Sequence, residues 1–278
     1  KFNYVFEYAA EHSIYNILKA GDLTDIKRSW ILLQQLAQLL EFWRKRKIRM
    51  YCVKGQHDSY YHDMTNDKTI LGVLITTGLV DRLSETPLAI SPGINVYGTS
   101  YGEEIAKVVT TGINILVIHK QIITNKMWAM QEEYELASDF IKRNNAFDLI
   151  LCGDAHQKFE VSQGKRIICN TGVMLRLESS DQMFKHSPGF YVYDTEKNKL
   201  EWVEIPHMKA KLVLSCEHLQ KQKQRKHNFD LFINRVKDTN DDQKSVSFEK
   251  NLASIMKKNK TKEPVKKIVS NYLEGEDK

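Results

Sequence analysis

The stretch "IRMYCVKGQHD", residues 48–58, passes from an apolar strand pattern directly into an amide, an imidazole and a carboxylate. Gln56, His57 and Asp58 carry groups that are costly to bury unless something pairs with them. They either cap a turn at the surface or face a common ligand. A common ligand is favoured if other parts of the chain supply similar polar groups at the ends of strands.

Three further apolar runs end in the same way. "YNILKAGD" ends at Asp22, "NILVIH" ends at His119, and "LILCGDAH" ends at Asp154 and His156. The carboxyl ends of parallel strands meet at one edge of a sheet, which is where ligands bind in open α/β sheets. A single histidine or Gly-Asp pair after a strand is more often a local hydrogen-bonded turn, but four coincident strand ends favour a shared ligand. Imidazole, carboxylate and amide donors together suit manganese, iron or zinc, so the sequence predicts a divalent metal site.

The spacing of apolar residues predicts alternating helices and strands up to Pro206. A strong amphipathic helix is expected over residues 26–47, with Thr24 and Asp25 as capping candidates. Strand patterns occupy residues 14–20, 48–53, 87–90, 94–98, 113–119, 147–153, 165–172, 189–194 and 199–205. Further helices are expected at 2–12, at 69–77 and, after a loop, within 125–145. These patterns indicate an α/β fold with a largely parallel sheet, helices on its faces and a second, antiparallel sheet.

The basic charge of the chain lies in its C-terminal quarter. Residues 207–278 carry 17 basic and 10 acidic side chains, a net charge of +7, whereas residues 1–206 carry 24 basic and 25 acidic ones. Short helical patterns in this quarter, interrupted at Pro264, predict a small helical appendage. Its charge fits either a polyanionic partner such as nucleic acid or a solvated, partly disordered tail.

The cysteines and the apolar runs point to a cytoplasmic protein. Cys52, Cys152, Cys169 and Cys216 have no zinc-ribbon or redox spacing, so we expect reduced and mostly buried thiols. No apolar run approaches the roughly 18 residues of a membrane span. No leader-like segment opens the chain, and its first residue is Lys1, so we expect the natural N-terminus to lie upstream.

The order of the four strand-end motifs resembles that of the calcineurin-like metallophosphoesterases. This family carries GD, GNH(D/E), a lone histidine after a strand, and GHxH; here the motifs read GD at 21–22, GQHD at 55–58, VIH at 117–119 and GDAH at 153–156. The resemblance covers about residues 10–205. It implies a four-layer α/β sandwich of two mixed sheets flanked by helices over residues 1–206, followed by a small, basic, helical C-terminal cap at 207–278.

The resemblance also assigns metal ligands residue by residue. It implies that Asp22 bridges two metal ions and that Gln56, His119 and Asp154 bind the second of them. His156 would bind the first ion.

Two other residues receive catalytic roles from the resemblance. His57 would be the acid that supports the transferring phosphate and the leaving oxygen, and Asp58 would orient His57.

Three departures from the family pattern change these expectations. Gln56 is one methylene longer than the family's asparagine. Asp154 replaces a histidine nitrogen with a charged oxygen, which should favour harder ions such as Mn²⁺. The family's D-x-H motif, which supplies two ligands to the first metal, does not occur before Asp22. We therefore expect the first strand and D-x-H to precede residue 1 in the natural protein.

Within the family, the chain looks most like the SbcD-like DNA-repair nucleases, bacterial or phage-encoded, because a loop and helix follow the lone histidine and a separate cap follows the sheets. This branch implies two divalent ions, with Mn²⁺ favoured over Fe²⁺, Mg²⁺ or Zn²⁺, and exo- or endonuclease activity on DNA. It also implies a homodimer and an SMC-like ATPase subunit, with no membrane association. Two alternatives stay open: a small-substrate phosphatase or nucleotide phosphodiesterase, and a non-catalytic DNA-binding module with a degenerate metal site.

Overall fold

The computed structural model describes residues 1–26, 28–60, 67–125, 134–215 and 248–273, together with the isolated positions 217, 224–225, 228–229 and 231. Two compact units are present. The first comprises Lys1–Glu178 and Gln182–Leu212, and the second comprises Ser179–Asp181 and Val213–Lys278. None of the helices in the described part of the chain combines the length and the apolar character that a membrane crossing needs.

Two sheets form the centre of the first unit. The three-stranded sheet has, in spatial order, the strands β1 (Asn16–Ala20), β2 (Arg49–Val53) and β3 (Asp81–Arg82). The six-stranded sheet has, in spatial order, β10 (Lys158–Gln163), β11 (Arg166–Thr171), β9 (Leu149–Asp154), β6 (Ile113–Lys120), β5 (Ile94–Thr99) and β4 (Leu88–Ser91). Its central strands β11, β9, β6 and β5 are parallel, and the edge strands β10 and β4 are antiparallel to their neighbours.

Shorter pairs and helices complete the described elements. An antiparallel hairpin is formed by β12 (Gly189–Asp194) and β13 (Lys199–Glu204), and a short parallel pair by β7 (Ile122–Ile123) and β8 (Glu135–Leu136). The helices are α1 (Phe2–Glu11), α2 (Trp30–Arg44), α3 (Ile70–Thr76), α4 (Ala137–Arg143), α5 (Asp181–Lys185), α6 (Ala210–Val213), α7 (Phe248–Lys258) and α8 (Glu263–Leu273), and a 3₁₀ turn spans Gln56–Asp58.

The apolar core shows how these elements are layered. Successive residues of a strand point to opposite faces of its sheet. In β2, Met50 and Cys52 pack with α1, α2 and α3, whereas Tyr51 and Val53 pack between the two sheets. On the far side, alternate residues of β6 pack with α4, through Phe140. The order helix–sheet–sheet–helix confirms the expected α/β sandwich.

The sheets differ in two respects from the expectation. The three-stranded sheet is wholly parallel, not mixed, because α2 and α3 connect its strands as crossovers. The late strands do not all form an antiparallel sheet: β9 and β11 join the parallel centre of the six-stranded sheet, and the closing hairpin is separate.

The start of α2 was predicted wrongly. The helix begins at Trp30, and its cap is Ser29, whose hydroxyl oxygen accepts a hydrogen bond of 3.3 Å from the amide of Leu32. Thr24 instead donates to the carbonyl of Ile26. Trp30, whose side chain fits the apolar face of the predicted amphipathic helix, is 86% exposed.

The second unit contains α7 and α8. Pro264 does not separate helices but lies in the first turn of α8, where a missing amide proton costs no helical hydrogen bond. One of the short helical patterns predicted from the sequence, at residues 229–237, lies largely outside the described residues, and Cys216 lies wholly outside them. Cys52, Cys152 and Cys169 are free and buried, as expected.

Candidate metal centre

Four polar side chains converge where strands of the two sheets end. His119 lies near the end of β6 and Asp154 ends β9, and these two strands are paired so that His119 is opposite Gly153. Asp22 follows β1, and Gln56 opens the turn after β2. Three potential ligand atoms lie within 4.8 Å of one another, one each from Asp22, His119 and Asp154. The structure thus brings these predicted residues together at the ends of strands from two facing sheets, where a single sheet was expected.

His119 is the centre of this cluster. Its side chain is almost fully buried, and its Nδ1 lies 2.7 Å from the carbonyl oxygen of Ala20. Its Nε2 faces oxygen atoms of three side chains: Gln56 Oε1 at 2.6 Å, Asp22 Oδ2 at 3.3 Å and Asp154 Oδ1 at 3.9 Å. The Ala20 carbonyl fixes the proton on Nδ1, which leaves Nε2 as the ligand atom whenever the imidazole is neutral.

Gln56 joins the cluster through both ends of its amide. Its Oε1 lies 2.6 Å from His119 Nε2 and accepts from it when the imidazole is protonated, and its Nε2 donates to Asp154 Oδ1 at 2.8 Å. The amide carbonyl therefore points at the same place as the carboxylates.

Backbone conformation at the site is unusual for the residues present. Asp22 and Asp154 have φ angles of +48° and +82°, in the left-handed region that side-chain-bearing residues rarely adopt. Such conformations persist only where the surrounding structure holds them, and they are concentrated at functional sites. Gly21, with φ of +77°, approaches the imidazole so closely that an added Cβ would lie 2.2 Å from His119 Nδ1.

The two residues after Gln56 occupy different environments. The side chain of His57 is exposed, and its amide donates to Asp22 Oδ1 at 3.0 Å. Asp58 is buried, and its carboxylate accepts from the amides of Leu23 and Gly55, both at 2.9 Å. Asp58 thus holds the main chain on either side of the site, and its action on the His57 imidazole stays a prediction.

Asp22 and His119 each shift the pKa of the other in the direction that favours its charged form. Burial acts to raise the pKa of the Asp22 carboxyl, but the hydrogen bond and charge of His119 outweigh it, so the pKa is lowered. Burial likewise acts to lower the pKa of His119, but its hydrogen bond and charge interaction with Asp22 raise that pKa above its ordinary value. Burial raises the pKa of Asp58, against the effect of the Gly55 amide and the Lys19 ammonium.

The donor set fits a divalent transition metal ion. Two carboxylates, an imidazole with a fixed Nδ1 proton and an amide oxygen are an ordinary combination for such an ion. Asp22, Gln56, His119 and Asp154 could hold it. His156 is exposed and lies outside the three-residue group, so its role with a first ion stays a prediction.

Two residues near the cluster were not anticipated from the sequence. Lys19, within β1, donates from its ammonium group to the carbonyl oxygens of Gly21 and Asp22. A lysine inside an apolar strand next to a Gly-Asp turn was the available signal. Tyr101 stands edge-on to His119 with 6.4 Å between ring centroids and is 41% exposed. Nothing in its local sequence distinguishes it from an ordinary loop tyrosine.

Comparison with known proteins gives structural similarity alone. No protein-family model and no curated protein matches the chain. Among solved structures, the protein TT1561 of Thermus thermophilus is 14% identical, with 73% of this chain and 92% of that one covered and a TM-score of 0.46. A structure described as a novel archaeal phosphodiesterase is 9% identical over 73% and 90%, with a TM-score of 0.41.

A hypothetical protein, PH1004 of Pyrococcus horikoshii, is 10% identical over 79% of this chain and 86% of that one, with a TM-score of 0.39. These TM-scores are all below 0.5, so the similarity carries no argument about function.

Proposed function

We propose that this chain is a metal-dependent phosphodiester hydrolase of the calcineurin-like metallophosphoesterase type and that its substrate is DNA. The observation that carries this proposal is the convergence of Asp22, Gln56, His119 and Asp154 around the Nε2 atom of His119. Each comes from a motif that the family resemblance assigns to metal binding. The left-handed backbone at both aspartates supports a functional role, since such strain needs a reason to persist.

The choice of DNA rests on charge. The +7 excess of residues 207–278 suits a polyanion, and protein–DNA affinity comes mainly from contacts of lysine and arginine with phosphates. Mn²⁺ is the favoured ion, because Asp154 gives the site an additional carboxylate oxygen. The homodimer and the SMC-like ATPase subunit stay predictions of the family resemblance.

The residues of the cluster and His57 would have different roles in phosphodiester hydrolysis. A divalent ion bound by this cluster supplies Lewis-acid stabilisation of the phosphate and a bound water of lowered pKa. Asp22 and Asp154 would provide the negative charge that holds the ion, and Gln56 would add a neutral oxygen. The exposed imidazole of His57, one residue along, would donate a proton to the leaving oxygen. The Ala20 carbonyl keeps His119 in the tautomer that binds metal.

The test is cleavage of end-labelled linear DNA by the full-length protein in Mn²⁺, with bis(p-nitrophenyl) phosphate as a small-substrate comparison. Asp22→Asn removes one charged ligand, and we expect a loss of more than about 100-fold, since even outer-shell changes cost about 10–100-fold in metal affinity or activity. Asp139→Asn is the matched control. Asp139 lies on the exposed surface of α4, where its 3.6 Å contact with Lys142 is a surface ion pair of little energetic weight.

The outcomes separate the three functions. DNA cleavage that Asp22→Asn abolishes and Asp139→Asn retains supports the proposal, and the product ladder distinguishes exonuclease from endonuclease activity. If the protein cleaves the small ester but leaves DNA intact, DNA is not the substrate, and the result supports a phosphatase or nucleotide phosphodiesterase. Metal-loaded, folded protein that cleaves neither would refute a hydrolytic function and leave a binding module.

A further inference from the structure

The turn that presents Asp22 is held in an unfavourable backbone conformation. Gly21 and Asp22 are consecutive left-handed residues, with φ angles of +77° and +48°. Glycine adopts this conformation readily, but aspartate does so at a cost. The orientation of the Asp22 carboxylate therefore depends on contacts that keep the turn in place.

Two oppositely charged side chains form hydrogen bonds with the backbone of this turn. The ammonium group of Lys19 donates to the carbonyl oxygen of Gly21 and, at 3.2 Å, to that of Asp22. The buried Asp58 carboxylate accepts from the amide of Leu23. Lys19 thus binds the carbonyls that the left-handed turn brings together, and Asp58 binds the next amide along.

The charges around Lys19 favour these hydrogen bonds. Burial lowers the pKa of Lys19, while the negative charges of Asp58 and Asp22 act to raise it. Lys19 is half-buried, so its hydrogen bonds compete less with water than those of a fully exposed lysine would. The carboxylate it helps to place lies 3.3 Å from His119 Nε2.

We propose that Lys19 is a positioning residue: by binding the Gly21 and Asp22 carbonyls it fixes the Asp22 carboxylate in the direction that metal binding requires. This inference rests on the proposed function, because it assumes that Asp22 is a ligand. It does not require that the metal-loaded protein cleaves DNA. Metal affinity is therefore its measure.

The decisive variant is Lys19→Met, which keeps an unbranched side chain and removes the ammonium group. We expect the Kd for Mn²⁺, measured on the metal-free full chain by EPR of free Mn²⁺, to rise by about 10–100-fold, the usual effect of losing a group that orients a ligand. Lys19→Arg, which keeps the charge and the donors, should recover much of the affinity. Lys199→Met is the control, because Lys199 is an exposed lysine at the start of β13.

Melting in EDTA separates positioning from general stability. A purely structural role would lower the melting temperature of Lys19→Met and leave the Mn²⁺ affinity of the folded protein unchanged, which would overturn the proposal. Recovery by Lys19→Arg with an unchanged Lys199→Met supports it. If Lys19→Met does not fold, Lys19→Gln replaces it, and failure of both to fold would also overturn the positioning role. Absence of Mn²⁺ binding by the unmodified chain would instead refute the metal site itself.

Discussion

Replacing Gly21 by alanine tests the geometry of the site most directly. Gly21 has φ of +77°, and an added Cβ would lie 2.2 Å from Nδ1 and 2.7 Å from Cγ of His119. No two such atoms approach so closely, so the imidazole or the turn must shift. Either shift separates His119 Nδ1 from the carbonyl of Ala20, to which it is now 2.7 Å distant.

The expected cost has two parts. A left-handed alanine costs roughly 1–2 kcal/mol relative to glycine. Loss of the Nδ1 hydrogen bond leaves a buried polar group without its partner, at about 1–3 kcal/mol. Gly21→Ala should therefore lower the free energy of unfolding by about 2–5 kcal/mol, a large part of the stability of an ordinary domain.

Gly78 provides a matched control. Its φ is +69°, and nothing lies within 4 Å of an added Cβ, so Gly78→Ala carries the backbone cost alone. Urea unfolding of both variants in EDTA should show Gly21→Ala to be less stable than Gly78→Ala by about 1–3 kcal/mol. Equal losses would refute the close approach of the β1 turn to His119, and with it the arrangement of ligands described above.

Three further predictions concern pH, packing and capping. His119 has a raised pKa in the folded state, so the stability that it contributes is fully present below pH 6.5 and is lost as the pH rises through the folded pKa. Asp22 has a lowered pKa, so the stability that it contributes is present above pH 3.8 and is lost as the pH falls through the folded pKa. Urea unfolding in EDTA should accordingly show less stability at about pH 9 than at about pH 6, and His119→Gln should remove this difference; an unchanged difference would contradict the assignment. Leu40→Ala, at a position 2% exposed, should cost about 2–5 kcal/mol, whereas Trp30→Ala, at 86% exposed, should stay within about 0.5 kcal/mol, and the reverse order would contradict the packing of α2. Ser29→Ala should cost about 1 kcal/mol by removing the cap of α2, and no loss in thermal or urea unfolding would place the helix start elsewhere.

The fold followed from the sequence where its periodicity was strong. The runs ending at Val53 and His119 are buried strands because both of their faces are covered, which demands near-continuous apolar residues. The edge strand β10, "KFEVSQ", escaped prediction because its residues are largely polar or partly exposed, as is typical where one side of a strand meets solvent. The cap of α2 was misplaced because Thr24, Asp25 and Ser29 all satisfy the local rule, and only tertiary packing selects among them.

The site was predictable as residue types at strand ends but not as a set of contacts. Asp22, Gln56, His119 and Asp154 were identified in this way, since polar groups that follow buried strands need partners. Lys19 was not, because its role depends on the left-handed turn that brings the Gly21 and Asp22 carbonyls to its ammonium group. Backbone conformation of that kind is set by the surrounding structure and leaves little trace in a single sequence.

Two predicted ligands at which this chain departs from the resembled family, Gln56 and Asp154, contact each other. Gln56 Nε2 donates to Asp154 Oδ1 at 2.8 Å, while Gln56 Oε1 lies 2.6 Å from His119 Nε2. An asparagine is one methylene shorter and would not span from His119 to Asp154 in the same backbone position. A neutral histidine at position 154 could accept this bond only through one ring nitrogen, which would then not be free for a metal ion. A carboxylate has a second oxygen, so Asp154 can accept from Gln56 and still offer an atom to the site. The longer amide and the added carboxylate therefore form one coupled difference, which would keep the number of donors and increase the negative charge around a bound ion.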